Sequence, residues 1–229
     1  LKITKQENKM NNKYKILNLY ACLGGNRAKW DEVCENLEVT AVELDPELAK
    51  LYKERFPNDI VIIADAHQYL LDHYKEYDFI WSSPPCPSHS KARYWGFGKN
   101  GLQPAYPDMK LYEEIIFLQH HFFGKWVVEN VNPYYEPMFN PQKRERHLYW
   151  CNFKLPTIVS YRNDTALVQA SRMQDLCDFH DYDFRKYKGN QRILKVARNL
   201  VDYEAGKTIF SVALGIHQES NKNQGVINF

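Results

Sequence analysis

Up to residue 131 the sequence keeps returning to short apolar runs, each followed by a helical pattern. The runs are Lys15–Tyr20, Val39–Leu44, Asp59–Ala64, Tyr77–Ser82 and Lys125–Val131. Between them, Arg27–Leu37, Pro46–Phe56, Ala66–Tyr74 and Asp108–Phe122 read as helices, with Pro46 suited to a first helical turn. Continuous apolar strands alternating with helices of about ten to fifteen residues specify βαβ units around a parallel sheet covered on both faces. The predicted fold is α/β, a doubly wound, mostly parallel sheet. Past Val131 the pattern breaks. Residues 132–141 are too few for another crossover, His147–Phe153 reads as a strand, and residues 154–190 are polar and aromatic without a clear period. A helical pattern returns at Ala205–Leu214.

At 229 residues the chain suffices for one domain with a single sizeable core. The expected organisation is a disordered extension over 1–13, with Met10 a candidate start, then the main α/β unit over 14–153. A small insert over 154–190, a segment over 191–216 that rejoins the main unit, and a flexible tail over 217–229 complete it. No apolar stretch approaches the roughly 20 residues of a membrane span, and no signal-peptide pattern opens the sequence. The five cysteines are odd in number and form no CxxC pair, so neither zinc nor a disulfide framework is expected and a reducing cytoplasm fits. A net charge of +2 means that any nucleic-acid contact must come from local clusters.

The fourth apolar run ends in Ser82-Ser83-Pro84-Pro85-Cys86-Pro87. Proline lacks an N–H and restricts the residue before it, so the strand can neither continue nor bend directly into helix. Cys86 is then presented on a stiff turn at the C-terminal edge of the sheet, where open α/β sheets hold ligands. The plainer reading is a small buried cysteine in a kinked loop. Against it stands Val127-Val128-Glu129-Asn130-Val131, a second strand ending in a carboxylate. A thiol and a carboxylate at two strand ends make a nucleophile and proton-donor pair.

The earlier strands end in polar features on the same edge. Gly24 and Gly25 follow the first, Glu43 with Asp45 the second, and Asp65 the third. Each has a plainer role, as a turn or as a helix N-terminal charge. Together they outline an adenosine crevice, with Glu43 toward ribose hydroxyls and Asp65 toward the adenine amine. There is no long Gly-rich phosphate loop, and S-adenosylmethionine, which carries no phosphate, fits best.

These features resemble the DNA cytosine-5 methyltransferase family. Leu19-Tyr20-Ala21-Cys22-Leu23-Gly24-Gly25 is similar to its first cofactor motif, with Cys22 in place of a glycine. Pro84-Pro85-Cys86 is similar to its nucleophile motif, Glu129-Asn130-Val131 to its base-protonating motif, and Gln142-Lys143-Arg144-Glu145-Arg146 to its Gln-x-Arg-x-Arg motif. Arg198-Asn199-Leu200-Val201 is similar to its late Gly-Asn-x-Val motif. The short 132–141 segment looks like the loss of a helix and strand, and the small insert is similar to compact phage-encoded members, some of them in restriction–modification systems. The resemblance implies a Rossmann-like S-adenosylmethionine-dependent methyltransferase fold. It implies cofactor contacts at Tyr20, Cys22, Leu23, Gly24, Gly25, Glu43, Leu44, Asp65, Ala66, Pro84 and Asn199.

It also implies a chemistry. Cys86 adds to C6 of cytosine, Glu129 protonates N3, and Arg144 or Arg146 lowers the thiol pKa. Burial would raise the Glu129 pKa toward that task, and Asn130 would brace the loop. The base must be flipped out of a duplex or met single-stranded. Ser90, Lys91, Arg93, Tyr94, Trp95, Phe97 and Lys99 supply cations and aromatic faces, and Gly96, Gly98 and Gly101 freedom to close. Gln142, Arg185 and Lys186 are further DNA-contact candidates. The expected partner is DNA and the expected state a monomer, without metal. The same chemistry on RNA, an amino-methyltransferase and a base-binding protein without turnover are the alternatives. For the loop, a solvated surface segment is the plainer reading, and for Arg144 and Arg146, surface pairing with Glu145.

Overall fold

A computed structural model describes residues 13–96, 103–162 and 172–216. A seven-stranded sheet runs through it in the order β3-β2-β1-β4-β5-β7-β6. The strands are β1 (Tyr14–Leu19), β2 (Leu37–Glu43), β3 (Ile60–Ile63), β4 (Phe79–Ser82), β5 (Lys125–Val131), β6 (Gln142–Arg144) and β7 (His147–Cys151). The first five pair in parallel, and β7 runs antiparallel to both β5 and β6. This is the doubly wound, mostly parallel sheet that the alternating apolar runs predict, and the Rossmann-like fold that the family resemblance implies.

The helices are α1 (Pro46–Arg55), α2 (Ala66–His73), α3 (Lys91–Gly96), α4 (Lys110–His121), α5 (Met173–His180), α6 (Ile193–Asn199) and α7 (Tyr203–Ala213). Asp45 and Asp65 cap α1 and α2 through their side chains, so the helix-terminal role of both carboxylates is real. Alternate residues of each parallel strand point to opposite faces. On one face Leu17, Leu19, Ile80 and Val128 pack under α2 and α4. On the other, Ile16, Phe79, Trp81 and Val127 pack against Trp30 and against Ile209 and Phe210 of α7. Phe210 is fully buried, so truncating it to alanine costs about 3–5 kcal/mol.

The structure corrects several expectations. Residues 27–37 do not form a helix. They run as tight turns, with Trp30 donating to the Arg27 carbonyl and Val33 to that of Trp30, and Leu37 already opens β2. Tertiary anchors override propensities worth under about 1 kcal/mol per residue. Arg27 makes a bidentate, buried ion pair with Asp59 at 2.9 and 3.0 Å, and the Trp30 indole donates to the Gly206 carbonyl of α7 at 3.3 Å. The short β6, just beyond the 132–141 segment, is a strand that the sequence reading did not place. The 154–190 region contains α5 and a 3-10 turn at Phe184–Lys186, and with α6 it packs on α1 and Leu23 in a third apolar cluster. Residues 1–12 of the expected extension, the expected tail, and Phe97, Gly98, Lys99 and Gly101 lie outside the described residues. Among the described residues no helix is long and apolar enough to cross a membrane.

Candidate active site

The two prolines after β4 carry Cys86 away from the sheet edge. The Cys86 carbonyl then accepts from the backbone N–H groups of His89 and Ser90, each at 3.0 Å. The turn is pinned to the chain beyond β5, where Ser90 bridges Pro133 and Tyr134 N donates to the His89 carbonyl at 3.1 Å. Glu129 lies on β5, the neighbour of β4, and is buried. Cys86 and Glu129 line one cavity of about 190 Å³, with Pro84, Arg146, His147 and Lys195 in its wall. His147 Nε2 stands 3.6 Å from Glu129 Oε1, and Asn130 Nδ2 donates to the Pro84 carbonyl at 3.0 Å.

The two arginines part company. Arg146 lines the cavity. Arg144 does not, because its guanidinium donates to the carbonyls of Pro156 at 2.5 Å, Lys143 at 2.7 Å and Leu155 at 2.8 Å. Gln142, expected at a nucleic-acid contact, also turns inward. Its amide donates to the Phe153 carbonyl at 2.7 Å and accepts from Leu155 N at 2.8 Å.

Arg146 does pull the Cys86 pKa down, as expected, but it is outweighed. Burial, with the Glu129 carboxylate second, pushes the thiol up to about 11, against the smaller opposing pull of Lys195 and Arg146. A buried thiol beside a carboxylate is protonated until something neutralises that charge.

A second space of about 890 Å³ opens along the ends of β1, β2 and β3. Glu43, Leu44, Asp65 and Ala66 line it, and Tyr20, Cys22, Pro85, Gln191 and Asn199 are shared with the Cys86 cavity. Backbone amides organise the Glu43 carboxylate, Cys22 N at 2.8 Å and Asp45 N at 2.9 Å. Burial nonetheless holds its pKa above the usual range. Leu44 is 65% exposed and offers an apolar face between Glu43 and Asp65. Asp65 Oδ1 caps α2 while Oδ2 meets Lys110 Nζ at 3.4 Å.

This donor set fits a nucleoside, with one carboxylate at each end of an apolar ledge. Gly25 and Pro84 reach only the inner cavity, and Leu23 and Gly24 reach neither space. Leu23 is fully buried under the third cluster. Gly24 makes the turn at φ +66°, and a Cβ on Gly25 would sit 2.2 Å from the Val201 carbonyl. Cys22, where the motif has glycine, also adopts a left-handed φ of 48°. Among the described residues no cluster of His, Cys, Asp or Glu is arranged to hold a metal ion.

On its other side the cavity opens into a groove of about 920 Å³ lined by Cys86, Ser90, Lys91, Trp95, Lys143, Arg146 and Arg198, among others. Trp95 is 68% exposed. Tyr94 stacks on Tyr134, their ring centroids 5.1 Å apart. Arg93 is drawn away to the Gln103 carbonyl at 3.0 Å. Arg185 and Lys186 are exposed on the 3-10 turn, Arg185 paired with Asp183 at 2.6 Å. Lys195 was missed by sequence reading. Its signal was the three-residue spacing Arg192, Lys195, Arg198, one face of a helix.

A family model for C-5 cytosine-specific DNA methylases matches residues 14–139. No curated protein matches the chain. Among solved structures, a mutant of Spodoptera frugiperda DNMT2 is similar at 26% identity and a TM-score of 0.38, over 52% of this chain and 36% of that one. The Entamoeba histolytica methyltransferase EhMeth is similar at 13% identity and a TM-score of 0.34, over 53% and 39% respectively. The chain thus spans well under half the length of both. The N-terminal domain of human METTL16, solved in complex with SAH, is similar at 14% identity and a TM-score of 0.37, over 57% of this chain and 51% of that one.

Proposed function

This chain belongs to the C-5 cytosine-specific DNA methylase family, and from that membership we propose that it methylates carbon 5 of cytosine in DNA, with Cys86 as nucleophile and Glu129 as proton donor. S-adenosylmethionine is the family's cofactor, and when bound it supplies an electrophilic methyl group. The observation that carries the reading is one of connection. The cavity holding Cys86 and Glu129 opens on one side to a nucleoside-sized crevice and on the other to a groove lined by cations and Trp95. A base in the cavity would then lie between its methyl source and its own strand.

In this reading Glu43 and Asp65 take the ribose and adenine ends of the cofactor, over Leu44, with Tyr20, Cys22, Ala66 and Asn199 around them and Pro84 on the side of the inner cavity. A cytosine enters from the groove, flipped or already single-stranded. The Cys86 thiolate bonds to C6 while Glu129 gives a proton, or a strong hydrogen bond, to N3. That turns C5 into a carbon nucleophile, which takes the methyl group. Loss of the C5 proton and departure of Cys86 then restore the aromatic ring.

Arg146 and Lys195 provide the positive charge that favours the thiolate, and Asn130 holds the Pro84 carbonyl so that the nucleophile turn stays in register. Ser90, Lys91 and Trp95, with Arg185 and Lys186 further out, contact the strand. The catalytic unit is residues 14–153, and a reducing cytoplasm suits a catalytic thiol.

Oligonucleotides carrying 5-fluorocytosine test this, because fluorine at C5 blocks the elimination. In the presence of cofactor a complex stable to denaturing electrophoresis forms on DNA and maps to Cys86. A complex on RNA alone would reassign the substrate, and none on either would overturn the mechanism.

A further inference from the structure

The crevice at the ends of β2 and β3 has a wall that the chemistry above leaves without a role. Residues 187–191, between the 3-10 turn and α6, run along it, and Gly189, Asn190 and Gln191 line it opposite Glu43 and Leu44. This wall is fastened at one point. Asp45 Oδ2 accepts from Tyr187 Oη at 2.8 Å and from Gln191 Nε2 at 3.0 Å. The same phenol oxygen accepts from Gln191 N at 3.1 Å, closing the loop on itself. A Cβ at residue 189 would sit 2.2 Å from that phenol oxygen, so the loop closes this tightly only around glycine.

Asp45 divides its carboxylate between two tasks. Oδ1 caps α1, accepting from Glu47 N at 2.9 Å and Leu48 N at 3.3 Å, and needs nothing from residues 187–191. Oδ2 serves the loop. The Tyr187 ring is buried in the cluster that includes Leu48, Phe184 and Val196, so the hydroxyl can be removed without disturbing the packing of the ring.

We propose that Tyr187 and Gln191 form a clasp on Asp45 that closes the wall of the crevice over the nucleoside end of the cofactor. They are positioning residues, acting through the wall they hold; Tyr187 lines neither space, while Gln191 also reaches the edge of the Cys86 cavity. A ligand that binds only the closed arrangement loses apparent affinity in proportion to the closed fraction. Hydrogen bonds to a carboxylate are among the stronger ones, and losing either of the two lowers that fraction.

The proposal rests on the reading of this crevice as the cofactor site, and the test separates the two. S-adenosylmethionine binding to the whole chain is measured by titration calorimetry for wild type, Tyr187→Phe, Gln191→Ala and Glu43→Ala, alongside methyl transfer over a range of cofactor concentrations. The clasp predicts a dissociation constant raised about tenfold in Tyr187→Phe and severalfold in Gln191→Ala. In Tyr187→Phe the KM for cofactor should rise in step, and kcat at saturating cofactor should stay within about twofold of wild type. A role in stability alone would lower the melting temperature of the cofactor-free chain and leave the KM unmoved, which would overturn the proposal. Unchanged affinity in both clasp variants, with Glu43→Ala weakened, likewise overturns the clasp. Unchanged affinity in Glu43→Ala overturns the assignment of the crevice, and the clasp with it. Should Tyr187→Phe fail to fold, Gln191→Ala decides alone.

Discussion

Asn130 Nδ2 donates to the Pro84 carbonyl at 3.0 Å, tying the end of β5 to the proline turn that follows β4. The same side chain accepts from Val131 N at 2.9 Å. Both ends of this amide are therefore spent on backbone, and the two strand ends that carry Glu129 and Cys86 are locked to each other.

Replacing Asn130 by alanine leaves a buried carbonyl without its donor, at a cost of about 1–3 kcal/mol. The expected result is a melting temperature lowered by several degrees, with kcat falling further than KM rises, because the loop carrying Cys86 loses its register. Thermal denaturation and steady-state kinetics on one preparation check this. A normal kcat in Asn130→Ala would show that the brace does not position the nucleophile.

The thiol of Cys86 carries a pH signature. With its pKa at about 11, above the roughly 8.5 of an unfolded cysteine, the folded chain holds the proton more tightly than the unfolded one. The associated stability is present in full below the unfolded value and is lost as pH rises through the folded one. Alkylation of Cys86, followed by peptide mass spectrometry, should quicken about tenfold per pH unit between 7 and 10. Glu129→Gln removes the second cause of the shift and should move the midpoint down. A wild-type midpoint at or below 8.5, or one unmoved by Glu129→Gln, contradicts this account.

The groove predicts two separable effects on nucleic-acid binding. Trp95→Ala should cost about 1–3 kcal/mol if a base stacks on the exposed ring, with the salt dependence intact. Arg198→Ala should weaken all sequences alike and reduce the slope of log K against log salt by about one. Fluorescence anisotropy at several salt concentrations reads both. The reverse pattern would place the strand elsewhere.

The sheet was legible because the inner stretches of β1, β2, β4 and β5 are buried on both faces, which writes them as unbroken apolar runs, while the edge strand β3 is apolar but partly exposed. Cys86 and Glu129 were legible for the same reason, as residues at the ends of adjacent strands. The two arginines were not. In an Arg-x-Arg strand both side chains would share a face, but Glu145 adopts a left-handed φ of 50° in the β6–β7 turn, and the turn sends Arg144 and Arg146 to different partners. The region 27–37 misled because Trp30 and Arg27 follow helical spacing while tertiary contacts decide their conformation. The helices α5 and α6 were hidden by their shortness. Their apolar residues complete a cluster with α1 and the 3-10 turn, a partnership that eight and seven residues of sequence do not announce.

The central claim is that Cys86 is the nucleophile of a cytosine C5 methyl transfer. It is tested most directly by digesting the nucleic acid to nucleosides after incubation with labelled S-adenosylmethionine and identifying the methylated base by mass spectrometry, for wild type and for Cys86→Ala. The account predicts 5-methylcytosine from the wild type and none from Cys86→Ala, with cofactor affinity in the variant within a few-fold of wild type. Labelled 5-methylcytosine from Cys86→Ala, or a methyl group on an exocyclic amine in the wild-type product, would contradict it.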